Sequence, residues 1–248
     1  MKKSFSLIEL LIVIIVVGIL YSTIKFKLSN TSLIQAANQV VSYINYTKHL
    51  ALKDNKMQYY PLNNSVIEMN RSKYWFKQWW QIRFSYNGNN EYFYEIFSDI
   101  PYISSTGSDT YNFDGTGRKP SGDTNWAKTY ALNPLNHKYL TGSCSDSSSD
   151  YPNCNEADEK LNLTKTYGIV KIKYTNFGSS KKLLFDNYGN VYLREGDDGD
   201  AGDINPYDKD KRIPLMKTAK ITLCQDDNCD KNISICISPK IGNAYLCK

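Results

Sequence analysis

The chain has 248 residues, enough for one domain of ordinary size or for one domain with an extended element. Its 30 Lys and Arg and 25 Asp and Glu residues give a net charge of +5; the basic residues are scattered, which only weakly favours a polyanionic partner. Two histidines, His49 and His137, leave little room for a histidine-based triad or metal site. Because H-E-x-x-H, G-x-S-x-G and phosphate-loop patterns are also missing from the sequence, we predict that the chain is not an enzyme.

The N-terminus, MKKSFSLIELLIVIIVVGILY, is apolar over residues 5–21 except for Ser6 and Glu9. A secretory signal peptide would need a small-residue cleavage site, which the following GILYSTIKFKL does not offer. A plain signal anchor over residues 5–24 has the right length and a basic start. It leaves Glu9 unexplained, because a carboxylate inside a membrane helix is unfavourable unless it has a partner.

The stretch KKSFSLIELLIVIIVVGIL resembles the N-terminus of type IV pilins and type II secretion pseudopilins. In that family a prepilin peptidase cuts before a Phe, the new N-terminus is methylated, and a Glu stands fifth in the mature chain. Here Ser4 precedes the cut, in place of the family's usual Gly, while Phe5 is first and Glu9 is fifth. The resemblance therefore implies processing and methylation at Ser4 and Phe5.

The resemblance gives Glu9 a partner, since the α-amine of Phe5 on one subunit can lie beside Glu9 of a neighbour in a filament. It implies a minor pilin or pseudopilin of a type IV pilus, type II secretion or DNA-uptake filament. The partners would be other pilins or pseudopilins, a prepilin peptidase, an inner-membrane assembly platform, a cytoplasmic assembly ATPase and the membrane. The expected location is the inner membrane, single-pass with a periplasmic head, or the cell surface or filament tip after assembly.

Beyond the apolar run the sequence becomes amphipathic, and we expect the helix to continue to about Lys53. A break at residues 29–32, followed by a separate core helix, is the alternative. The residues expected on the packed face recur at helical spacing: Leu33, Ala36, Ala37, Val40, Val41, Ile44, Thr47 and Ala51. The domain prediction is a leader over 1–4, a membrane-spanning assembly half over 5–24, an amphipathic half over 25–56 and an exported, disulfide-bonded head over 57–248.

The head has a strand-like pattern of alternating residues. Residues 74–98 predict a hairpin turning at 87–90, where the sequence reads NGNN. Residues 99–165 are polar with little periodicity and are predicted to be a long loop. Strands at 167–174, 181–186 and 190–194 are expected to be antiparallel neighbours, with short strands after them. The predicted fold class is α+β, pilin-like: a long N-terminal α-helix packed against an antiparallel β-sheet head.

The strand at 74–86 places Trp75, Lys77, Trp79 and Arg83 on one face, where aromatic rings alternate with cations. Such a face is typical of platforms that bind single-stranded nucleic acid, which suggests a DNA-binding minor pilin of a natural transformation system. The alternative is a surface covered by the long loop or by a neighbouring subunit.

All six cysteines lie in the second half of the chain, and their even number predicts disulfides formed outside the cytoplasm. Short loops favour the pairs Cys144–Cys154, Cys224–Cys229 and Cys236–Cys247 among the fifteen pairings that six cysteines allow. A four-thiolate zinc site formed by the last four cysteines is the alternative.

An acidic stretch between residues 197 and 208 offers carboxylate oxygens, which calcium prefers as ligands. The spacing of these carboxylates along the chain differs from that of the EF-hand loop. The candidate ligands are Asp197, Asp198, Asp200 and Asp203, followed by Asp208. We predict no other cofactor. A hypothesis of a different class is a membrane-anchored periplasmic enzyme or sugar-binding module that uses the 99–165 loop.

Overall fold

The computed structural model describes residues 7–54, 79–98, 130–146, 152–194 and 212–247. Within these ranges the longest element is helix α1 (Leu7–Lys53), which remains helical through residues 29–32, where the sequence left a break open. The packed face of α1 is the one that the helical spacing predicted. Its buried residues are Leu33, Ala36, Ala37, Val40, Ile44, Thr47 and Ala51.

Nine strands are present in the described part of the head. Their bounds are β1 (Trp80–Tyr86), β2 (Tyr92–Ser98), β3 (Lys171–Thr175), β4 (Lys182–Phe185), β5 (Val191–Arg194), β6 (Arg212–Pro214), β7 (Ala219–Cys224), β8 (Asn232–Ile237) and β9 (Ala244–Leu246). The first sheet has the order β2-β1-β4-β5-β6, and the second sheet has the order β3-β7-β8-β9. Neighbouring strands are antiparallel in both sheets.

The predicted fold class, a long helix packed against an antiparallel sheet, is wrong as a description of this molecule. The head is mostly sheet and contains two antiparallel sheets. Among the described side chains of α1, burial begins only at Leu33. The physical reason is that both sheets have an apolar face to bury: Ile82 in the first sheet and Ile235 in the second belong to one hydrophobic cluster with the α1 face.

The predicted hairpin is confirmed over its described part, since β1 and β2 pair from Trp80 opposite Ser98 to Tyr86 opposite Tyr92. The turn is closed by Asn87, whose side-chain oxygen accepts hydrogen bonds from the backbone N–H groups of Asn89 and Glu91. An Asn side chain that bonds the backbone ahead of it stabilises such a turn.

The expectation of three neighbouring strands after residue 167 is wrong for the first of them. Strands β4 and β5 do pair, but β3 lies in the second sheet and pairs with β7. The place beside β4 is taken by β1, which pairs with it from Trp80 opposite Phe185 to Arg83 opposite Lys182. A pairing between segments so far apart in sequence is not visible in local alternation.

The long-loop prediction is wrong for the described parts of 99–165. A 3-10 turn (Glu159–Leu161) and a short helix, α2 (Leu163–Tyr167), occur there. Isolated bridges also connect β2 with residues near 130, 141 and 162. The backbone N–H of Ile96 donates to Leu140, and that of Gly142 donates to Tyr94. These contacts cover the edge of β2 that would otherwise present free backbone groups.

The predicted single-pass location in the inner membrane is contradicted. Within the described residues, no helix has both the length and the apolar character required to span a bilayer.

Three disulfides stabilise the head, and they confirm the predicted pairs: Cys144–Cys154, Cys224–Cys229 and Cys236–Cys247. The last four cysteines are therefore not available as zinc thiolates. The second disulfide closes the loop between β7 and β8, and the third joins β8 to the residue after β9. Disulfides of this number are typical of an oxidising location outside the cytoplasm.

Candidate functional site

The N-terminal part of α1 presents an apolar surface on every side. From Leu7 to Tyr21, thirteen large hydrophobic side chains are 49% to 83% exposed. This stretch, Leu7–Tyr21, is called the apolar segment below. Monomeric soluble proteins rarely expose contiguous apolar patches larger than a few hundred Å², and larger ones mark interaction surfaces. The apolar segment is therefore the clearest candidate for a binding surface in the described chain.

Glu9 lies in the first turn of α1, on the apolar segment, and is exposed. A carboxylate near a helix N-terminus interacts favourably with the helix dipole, which is compatible with this placement. The predicted processing residues Ser4 and Phe5 lie outside the described residues. Of the predicted processing and assembly residues, the structure therefore places only the assembly residue, Glu9, and it places it on the exposed apolar surface.

The predicted nucleic-acid face is not a surface in its described part. Trp79 is 3% exposed and Arg83 is 8% exposed, so the prediction that they contact DNA is wrong. The Trp79 ring lies 5.0 Å from the ring of Tyr192, centroid to centroid. Trp75 and Lys77 lie outside the described residues.

Arg83 is held inside the head by neighbours on the adjacent strands. Its guanidinium forms an ion pair with Glu95, which stands opposite it on β2 and is fully buried. The phenol of Tyr130 donates to the other Glu95 oxygen at 3.2 Å, and the ring of Phe97 lies 5.6 Å from the guanidinium carbon. Removing one partner of such a buried ion pair is strongly destabilising, because the remaining partner stays charged and desolvated. Arg83 therefore has a structural role.

The predicted calcium ligands Asp197, Asp198, Asp200 and Asp203, together with Asp208, lie outside the described residues. Within the described ranges, no group of three or more His, Cys, Asp or Glu side chains is arranged to hold a metal ion.

An open cleft of about 650 Å³ lies between the C-terminal part of α1 and the second sheet. Sequence reasoning missed it. Its lining residues are Asn45, Lys48, His49, Leu52, Ser238, Asn243, Ala244 and Tyr245. The first four of these residues belong to α1 and lie on one helix face, because they are three, four and seven positions apart. This spacing is the one feature of the sequence that could have indicated the cleft. Their partners are almost 200 positions away, so local patterns could not identify them.

Two hydrogen-bonded contacts join the sides of this cleft. The Asn45 side chain donates to the carbonyl of Ala244 at 3.1 Å and accepts from its N–H at 3.0 Å. The Lys48 ammonium donates to Asn243 Oδ1 at 2.6 Å. Burial lowers the pKa of Lys48, since a desolvated ammonium loses the proton more readily.

Two surfaces thus remain as candidates: the apolar segment of α1 and the open cleft between α1 and β9. Comparisons of this chain with family models, with curated proteins and with solved structures found no match.

Proposed function

We propose that this chain is a subunit of a pilin-type filament, a minor pilin or pseudopilin that is processed before Phe5 and assembles through the N-terminal part of α1. The observation that carries the proposal is the apolar segment, with its hydrophobic side chains exposed around the whole helix. Burying apolar surface gains about 25 cal/mol per Å², so such a helix gains stability when neighbouring helices cover it.

In this proposal, Glu9 determines how far one subunit is displaced along the filament relative to its neighbour. Helices that pack through the apolar segment would remove water from Glu9, and a desolvated carboxylate is unfavourable without an opposite charge. The α-amine of a mature chain beginning at Phe5 is such a charge, and it would come from a neighbouring subunit. A register that brings this amine beside Glu9 would gain the attraction between the two charges, which favours one spacing of subunits.

The partners proposed on this basis are other pilins or pseudopilins, a prepilin peptidase and an assembly platform protein. The disulfide-bonded head supports export, because such bonds persist in oxidising compartments.

The first test is mass spectrometry of the mature N-terminus in cells with and without prepilin peptidase. We expect a chain that begins with N-methylated Phe5, and we expect this form to disappear without the peptidase. An intact Met1 start in both strains would contradict the proposal and favour an enzyme or sugar-binding module that carries the same helix.

The second test compares Glu9→Gln with Glu159→Gln, which removes the same charge from an exposed position on the head. We expect Glu9→Gln to lower the amount of subunit recovered in sheared filaments at least ten-fold, and Glu159→Gln to leave it unchanged. Equal recovery of both variants would show that Glu9 does not direct assembly.

A further inference from the structure

The cleft between α1 and β9 is lined by hydrogen-bond donors that have no partner in the described part of the chain. His49, Ser238 and Tyr245 make no side-chain hydrogen bond there, and the amide nitrogen of Asn243 makes none. Lys48 uses one of its three N–H groups on Asn243. The residues that carry these groups line one open volume of about 650 Å³.

The charge of the cleft is positive and lacks a counter-ion within the described residues. No Asp or Glu side chain lines it, and Lys48 forms no ion pair there. The aliphatic part of Lys48 passes under the β4–β5 turn, where a Cβ on Gly189 would lie 2.9 Å from Lys48 Cε. Gly189 has a φ of +78°, a conformation that favours glycine, so the turn leaves room for this stem. This contact and the hydrogen bond to Asn243 position the Lys48 side chain beside the cleft.

We propose that this cleft binds an oxyanion, the carboxylate or phosphate group of a small ligand, with Lys48 as the charged contact and Asn243, Ser238, Tyr245 and His49 as hydrogen-bond donors. Hydrogen bonds from an ammonium to an anionic oxygen are stronger than those between neutral groups. An entering anion would provide the missing opposite charge for Lys48. The site lies on the head, away from the apolar segment, and does not depend on the filament proposal.

The two histidines of the chain allow a direct test, because His49 lines the cleft and His137 does not. The full chain, kept in a neutral detergent, is labelled with 13C at histidine, and the two imidazole signals are assigned with His137→Gln. Inorganic phosphate, glucuronate and glucose are then titrated separately to about 10 mM, a ten-fold excess over a dissociation constant of ~1 mM.

We expect phosphate, glucuronate or both to shift the His49 signal and to leave the His137 signal in place. A response to phosphate alone would identify a phosphate ligand, and a response to glucuronate alone a carboxylate ligand. Glucose lacks the anionic group and should have no effect. An unmoved His49 signal with both anions, or an equal response to glucose, would overturn the proposal.

Variants of the same full chain assign the binding to Lys48. Lys48→Met should weaken the anion-induced shift of the His49 signal at least ten-fold, whereas Lys48→Arg should retain it. Lys53→Met is the matched control, because it removes the same charge from an exposed part of the same helix, and it should also retain the shift. Asn243→Asp places a carboxylate beside Lys48, so it should abolish anion binding while the head stays folded. Undiminished binding by Lys48→Met or by Asn243→Asp would contradict the assignment.

Discussion

Replacing Asn45 by Ala tests how firmly α1 is joined to the second sheet. The change removes the two hydrogen bonds between the Asn45 side chain and the backbone of Ala244. Each is worth about 1 kcal/mol net, and a backbone group left without a partner costs about 1 to 3 kcal/mol when no water can reach it. Ala244 is 7% exposed but lies at an open cleft, so water can restore part of the loss. We therefore expect a loss of about 1 to 2 kcal/mol.

The matched control is Asn38→Ala, which removes the same amide from an exposed position of α1. Both changes gain the same helix propensity, so the difference between them isolates the contact with Ala244. Guanidinium unfolding followed by tryptophan fluorescence measures the free energy, and hydrogen exchange at the Ala244 amide gives a local measure. If Asn45→Ala and Asn38→Ala agree within about 0.5 kcal/mol, and Ala244 exchange is unchanged, the reasoning is refuted.

Two further predictions concern a close backbone approach and alkaline pH. A Cβ on Gly142 would lie 2.4 Å from the carbonyl carbon of Leu161, so Gly142→Ala should lower the free energy of unfolding by about 1 to 3 kcal/mol in guanidinium titrations. Burial, followed by the nearby charge of Asp158, raises the pKa of Tyr43 to about 12. The raised pKa adds to the free energy of unfolding. This contribution is complete below about pH 10 and is lost as the pH rises towards 12, because Tyr43 loses its proton at a lower pH in the unfolded chain than in the folded one. Tyr43→Phe should flatten the fall in melting temperature above pH 10, whereas the exposed control Tyr188→Phe should not.

The features that the sequence predicted well depend on neighbours within one or two turns of chain. The buried face of α1 follows from a spacing of three and four residues, from Leu33 to Ala51. The β1–β2 hairpin follows from the turn at residues 87–90. The disulfides join cysteines only 5 to 11 positions apart. In each case the information that determines the contact lies inside a short window, where periodicity and turn chemistry can be read.

The features that sequence reasoning missed depend on contacts between distant segments. Alternation along β1 places Arg83 on a polar face, and nothing local indicates that Glu95 on β2 pairs with it and that the face is buried. The same holds for β3, whose partner β7 lies about 50 residues further along the chain. The Lys48–Asn243 contact spans 195 positions. A period of two specifies that a strand has two faces, but it does not specify what covers each of them.

Composition along α1 separates the two proposed roles of this helix. Apart from Glu9, the large side chains described up to Tyr21 are apolar on all sides, so this part gains stability only from a surface outside the head. From Leu33 onward small and branched residues occupy one face, which allows both sheets to pack closely against it. Hydrogen bonds from Gln225 to Ser32 and between Asn45 and Ala244 fix that second part to the head. The polar face of the same turns is then left to line the cleft, so the filament contacts and the ligand contacts that we propose involve different residues and can be removed separately by mutation.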